Sequence, residues 1–313
     1  MAFGRGASAA LTALVLAAAV PAGAYEPDPV SDRLDDIADS TDALNREMNR
    51  MLAEVARDWH GPRDERHLQY LVWDKVSGRF WVHHIERYAM DSPEVERLPT
   101  RRYDSVYSGM PFWATRVVKL FGICPTVKLN SVYVGSDKLG HFVGQGWKFY
   151  RRWLTTHDEA RAAEQSAYTE RAIFGAKTTG VYSNGDLVAN YEGYRFFRAL
   201  LEDDVVPGRP AMFRWDGAAF VLQAPFDWRD YVNAYWDEGI DISHYDRLLY
   251  PHMRTRLLEY CAQYAQQPGR YTLPPAEDAA LKRRYAHIGL IDTGELRLDR
   301  LCAGGGAAQA TAH

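Results

Sequence analysis

The chain is poor in cysteine, with three among 313 residues. None forms a Cys-x-x-Cys pair, which excludes a structural zinc ribbon. Beyond the N-terminus it also lacks any run near the roughly 18 apolar residues that a helical bilayer span requires. The most apolar later stretch, Met110 to Val134, is interrupted by Arg116, Lys119 and Lys128. A basic excess is missing too. The formal net charge is −4, which gives no electrostatic footprint for nucleic acid, and there is no polybasic run of the kind that binds membrane surfaces. No repeat of fixed period is present.

What is there begins with a secretory pattern. Arg5 supplies a positive start, Leu11 to Val20 an apolar segment, and Ala22-Gly-Ala24 a small-x-small cleavage site. Residues 1–24 are therefore expected to be a signal peptide, and the mature chain periplasmic or secreted, with no transmembrane span after cleavage. No cysteine lies near the cleavage site to carry a lipid anchor. Such a compartment permits disulfides, and an odd count leaves at least one thiol unpaired. Cys261 with Cys302 is the preferred pair, since it ties down the C-terminal segment; three free, buried thiols are the alternative.

Residues 25–302 are expected to form a single, mainly helical domain with a small β-hairpin, and 303–313 a disordered Gly/Ala-rich tail. From Ser31 to Trp59, Leu34, Ile37, Thr41, Leu44, Met48, Met51 and Val55 recur at steps of three and four. This predicts an amphipathic helix lying on its own domain, with partner docking as the competing use. Further helices are expected over 137–154, 158–174, 186–202, 228–238, 244–263 and 275–285, with mixed helical signals over 67–98 and loops and short extended pieces over 101–134. Met212 to Gln223 reads as a hairpin turning at Asp216-Gly217.

Ser136-Asp-Lys-Leu-Gly-His141-Phe-Val-Gly-Gln-Gly146 concentrates an acid, a base, an imidazole and three glycines at a helix start. Asp137 and His141, four apart, share a face within reach of one ion. Asp186 or Glu192 would be a third ligand, giving a possible divalent-metal site. A metal-free pair, with Asp137 orienting His141, is the alternative. Lys148 and Arg152 extend the same polar stripe and are suited to an anionic group. Gly140 and Gly144 open a strip beside His141 for a close approach, since glycine inside a helix costs about 1 kcal/mol relative to alanine. On the later helix Asp186 and Asn190 project into an apolar arc, where a buried amide needs a specific partner. Ser183 suits a helix cap better than a nucleophile, because its surroundings depart from Gly-x-Ser-x-Gly.

Asp137-Lys138-Leu-Gly-His141-Phe142 resembles the Asp-Lys-x-x-His-Phe signature of VanZ-like membrane proteins and of a group of small envelope lipoproteins. The match covers six residues. VanZ-like proteins span the membrane several times, and the lipoproteins are anchored and shorter, so this chain departs from both. The resemblance implies an envelope location and a role for Asp137, Lys138 and His141, without a defined reaction.

Two functions follow as expectations. In the first, the chain binds or hydrolyses an envelope lipid or cell-wall component. His141 is then base or metal ligand, Asp137 its orienter, and Asp186 a further catalytic group. Lys138, Lys148, Arg152, Ser183, Asn190 and Glu192 contact ligand or water. In the second, it is a non-catalytic scaffold that binds an envelope protein, and the same residues form a buried structural network.

Overall fold

The computed structural model describes residues 26–78, 82–100 and 102–309. The expected signal segment lies outside them. About half of the chain is helical and the strands are few and short, so the mainly-α expectation holds. No helix among the described residues is long and apolar enough to cross a membrane.

Helix α1 (Thr41–Arg57) buries Leu44, Met48, Met51, Leu52 and Val55, so its apolar stripe packs on the chain's own core. It begins at Thr41 and not at Ser31. The Ser40 N–H donates to the Lys128 carbonyl at 2.8 Å, and the Asp39 side chain accepts from the Thr41 N–H at 2.9 Å. These bonds hold the preceding segment as a strap against the strands instead of continuing the helix. Within that strap Arg33 makes a buried two-pronged ion pair with Asp237, both contacts at 2.7 Å. Helix α2 (Glu65–Ser77) is capped by Asp64 and stops at Gly78, whose φ of 67° only glycine adopts cheaply. Helix α3 (His84–Asp91) follows.

Among the described residues, eight short strands pair two by two. β1 (Glu26–Pro27) runs parallel to β2 (Ile123–Cys124), and β3 (Thr126–Leu129) forms a tight hairpin with β4 (Val132–Gly135). β5 (Val181–Tyr182) meets β8 (His244–Tyr245), while β6 (Phe213–Trp215) and β7 (Phe220–Leu222) form the hairpin expected at Asp216-Gly217. There the Asp216 carboxylate accepts the Ala218 and Ala219 N–H groups at 2.8 Å, and Gly217 has φ 107°.

The central helix, α4, covers residues 137–156. It consists of Asp137–Gly140, a wide π-turn at His141–Gln145, and Gly146–Thr156. Helix α5 (Glu159–Thr169) ends in a second π-turn, Glu170–Phe174. Helix α6 (Asn184–Ala199) crosses α4 where Gly146 meets Gly193. A Cβ on Gly193 would strike the Phe142 carbonyl, so this crossing requires glycine.

Phe142 sits at the centre of the core, its ring 4.9 Å from Trp228 and 5.3 Å from Phe196, with Phe226, Tyr231 and Trp236 around it. The helix expected over 228–238 is instead two short 3-10 turns, Trp228–Asp230 and Ala234–Trp236. Packing of these rings around Phe142 takes precedence over a regular helix. The stretch 244–263 opens as strand β8. Helix α7 (Tyr250–Leu258) starts with Pro251, which lacks the N–H an interior position needs, and α8 (Cys261–Gln266) follows. Helix α9 (Pro275–Tyr285) matches the expected bounds. Helix α10 (Leu298–Gln309) is joined to α8 by the Cys261–Cys302 disulfide, and Cys124 is free and buried. It extends past Cys302, where the domain was expected to end, and residues 310–313 lie outside the described residues.

Candidate functional site

Lys138, in the first turn of α4, is fully buried. Burying an ammonium is tolerated only if it is paired and hydrogen-bonded. Here Nζ lies 2.7 Å from Asp137 Oδ2, 2.7 Å from Asp186 Oδ1 and 2.7 Å from Glu238 Oε1. Burial disfavours the charged lysine, but these three carboxyl groups outweigh it and hold the ammonium well above its ordinary pKa. Asp186 stands at the start of α6, and Glu238 just after the Ala234–Trp236 turn. One lysine thus ties three segments together.

His141 lies beside this cluster. Its Nε2 is 3.1 Å from Asp186 Oδ2 and its Nδ1 is 3.1 Å from Asn190 Oδ1. The Asn190 amide in turn donates to Ser166 Oγ at 3.3 Å. Asp186, and not Asp137, orients the imidazole. Asp137 turns to Lys138 and accepts the Cys124 thiol at 3.3 Å. Although burial opposes it, the His141 ring and the Lys138 ammonium hold the Asp186 carboxyl below the usual carboxylate range. Ser183 acts as the expected cap, accepting the Asp186 N–H at 3.0 Å, and its hydroxyl donates to Glu238 Oε1 at 2.6 Å.

Several members escape a reading of the sequence. Glu238 is raised by burial, with Lys138 offsetting only part of the rise. Glu26 and Glu170, also buried, are pushed well up by burial and then by the neighbouring carboxylates. His83 and Glu86, at the start of α3, cover the glycine strip of α4: a Cβ on Gly144 would strike the His83 ring, and one on Gly140 the Glu86 carboxyl. The close approach beside His141 is therefore made by side chains of this chain. Burial pushes His83 down to about 4 and Glu86 up to about 8. Isolated acids such as Glu26, Glu170 and Glu238 carry no periodic signal that would have revealed them.

Three expected residues stand apart. The π-turn slips α4 by one residue, as the Gly146 N–H reaches back to the His141 carbonyl. That slip rotates Lys148 and Arg152 off the face of Asp137 and His141. Arg152 bonds Thr169 at 3.1 Å, and Lys148 lines a cleft with Tyr70, Trp73, His83 and Arg151. Glu192 belongs to a separate network, with Arg284 and Tyr285 each at 2.6 Å.

Asp137, His141 and Asp186 bring three potential ligand atoms within 4.8 Å of one another. They suit a divalent ion by chemistry, but the carboxylate oxygens are already engaged. Lys138 holds one oxygen of each aspartate, Cys124 the second of Asp137, and His141 the second of Asp186. An ion would have to displace the ammonium or part His141 from Asp186. The residues therefore fit a metal-free acid–base cluster better. Compared with protein-family models, curated proteins and solved structures, the chain finds no match, so the VanZ-like resemblance rests on its six residues alone.

Proposed function

We propose that the chain works in the cell envelope, where it binds or hydrolyses a lipid or cell-wall component at the outer edge of this cluster. His141 is the proton-transferring group, Asp186 and Asn190 orient it, and Lys138 fixes the charge behind them. The supporting observation is a gradient of exposure. The side chains of His141 and Asp186 keep 10% and 9% of their surface, whereas Lys138 keeps none. One ring nitrogen faces the Asp186 carboxylate and the other the Asn190 carbonyl, so the imidazole is held in a fixed orientation and would exchange a proton with a ligand that displaces one of these partners. Perturbed carboxyl groups clustered around it are common at functional sites.

The saturation of Lys138 by three carboxyl groups favours a second reading, in which the whole cluster only holds the fold together. The two part on His141→Gln. The probes are monomeric dihexanoyl phosphatidylglycerol and purified peptidoglycan sacculi. Ligand-induced stabilisation is read by melting, and released products by mass spectrometry. The first reading expects binding or cleavage of one probe by the natural chain and its loss in a normally folded variant. A variant that binds and cleaves like the natural chain, or a natural chain inert to both probes, contradicts it.

A further inference from the structure

We propose that the outward side of residues 103–120 docks on the surface of an anionic phospholipid bilayer. This goes beyond the cluster at His141 and does not depend on it. The segment is firmly mounted. Val106, Tyr107, Val117 and Val118 are buried in the smaller of the two main apolar cores. The Thr115 hydroxyl donates to the Thr179 carbonyl at 2.6 Å, and Arg102 Nε to the Val118 carbonyl at 2.6 Å. Its opposite side should then be polar, as on an ordinary surface element. Instead it presents Trp113, 60% exposed, with Tyr103, Phe112 and Leu120 also about half exposed or more. The patch is continuous with α7, since the Trp113 ring lies 5.5 Å from His252 and the backbones of Ala114 and Gly180 meet beside Leu249. Several large apolar side chains left exposed on one short, well-anchored segment point to an interaction site.

The charges say which kind. Between residues 102 and 121 the cations are Arg102, Arg116 and Lys119 and the only acid is Asp104, in a chain whose net charge is −4. The Arg116 guanidinium stands 5.8 Å over the Phe112 ring. On the α7 side Arg247 and Arg254 are exposed, while Asp246 is committed to the Leu248 and Leu249 N–H groups at 2.8 and 2.9 Å. Exposed Trp, Tyr, Phe and Leu on a segment whose charges are mostly Lys and Arg match the boundary between acyl chains and anionic headgroups. The core of a protein–protein interface would instead be depleted of lysine. These cations are spread along the chain, so they form no polybasic run; the fold brings Arg102 to Val118 and Arg116 to Phe112.

The test is co-sedimentation of the purified chain with phosphatidylcholine vesicles, with and without phosphatidylglycerol. The expected result is binding that favours phosphatidylglycerol and weakens with salt. Trp113→Ala/Leu120→Ala should lower it about tenfold or more, and Lys119→Glu should reduce the phosphatidylglycerol preference. Both variants should melt like the natural chain, because the replaced side chains are exposed. No binding to either vesicle, or equal binding by the double variant, overturns the proposal. So does a dimer in sedimentation equilibrium that the double variant dissolves, since the patch would then be covered by a second copy.

Discussion

His141 and Phe142 are neighbours on α4, yet they face surroundings of opposite kinds. Phe142 is surrounded by five aromatic rings, while its neighbour joins a cluster of carboxyl groups around a buried ammonium. Both sides of the helix are inside the protein, but they contribute differently. The aromatic side gains from every apolar surface removed from water and tolerates small shifts. The charged side only offsets the cost of desolvation, and does so only while each partner is in place.

The sharpest way to break this comparison is Lys138→Met, which keeps the volume and removes the charge. It leaves three carboxyl groups without their cation, and we expect a loss of about 3–5 kcal/mol in chemical denaturation. The loss should shrink as the pH falls toward about 4, where carboxylates protonate. Phe142→Ala is the counterpart on the aromatic side. Its expected cost, about 3 kcal/mol or more, should be independent of pH. Equal pH profiles for the two variants would erase the distinction between the sides.

A smaller effect tests the cover over the glycine strip. Glu86 has a carboxyl pushed up to about 8 in the folded chain, against an ordinary 4.5. Between these values the unfolded chain gives up a proton that the folded chain keeps, so stability falls as pH rises from 4.5 to 8. His83 acts in the opposite sense over a lower window. Its folded value of about 4 lies below the ordinary 6.5, so its share of stability rises with pH between them. Above 6.5 the His83 share levels off, while Glu86 continues to lower stability as the pH rises toward 8. Glu86→Gln should make the decline in melting temperature between pH 6.5 and 8 shallower, and an unchanged slope would remove Glu86 from the account.

The Asp216-Gly217 hairpin was legible in the sequence because its turn chemistry is local, whereas four of the five rings around Phe142 come from the stretch 226–236, where a regular helix over 228–238 was expected and two short 3-10 turns stand instead. The β3–β4 hairpin was not legible. It turns on Asn130 and Ser131, both at positive φ, without the glycine that usually announces such a turn. Nor was the π-turn at His141–Gln145, which leaves the composition unchanged but moves Lys148 and Arg152 to another face. Within the cluster, Asp137, His141, Asp186 and Asn190 were visible as polar residues beside or within apolar helical surface. Glu238 arrives from a remote irregular segment, and nothing at its own place in the sequence points toward Lys138. The spacing of Asp137 and His141 correctly marked a shared helix face, yet it suggested a direct pair where tertiary packing inserted Asp186.

The proposed function amounts to a division of labour within one cluster, with Lys138 holding the fold and the His141–Asp186 edge meeting the ligand. Its most direct test is the melting temperature of His141→Gln measured beside Lys138→Met at neutral pH. The histidine variant should melt within a few degrees of the natural chain, and the lysine variant far lower. If His141→Gln falls as far as Lys138→Met, the imidazole is a structural member of the network and the division does not exist.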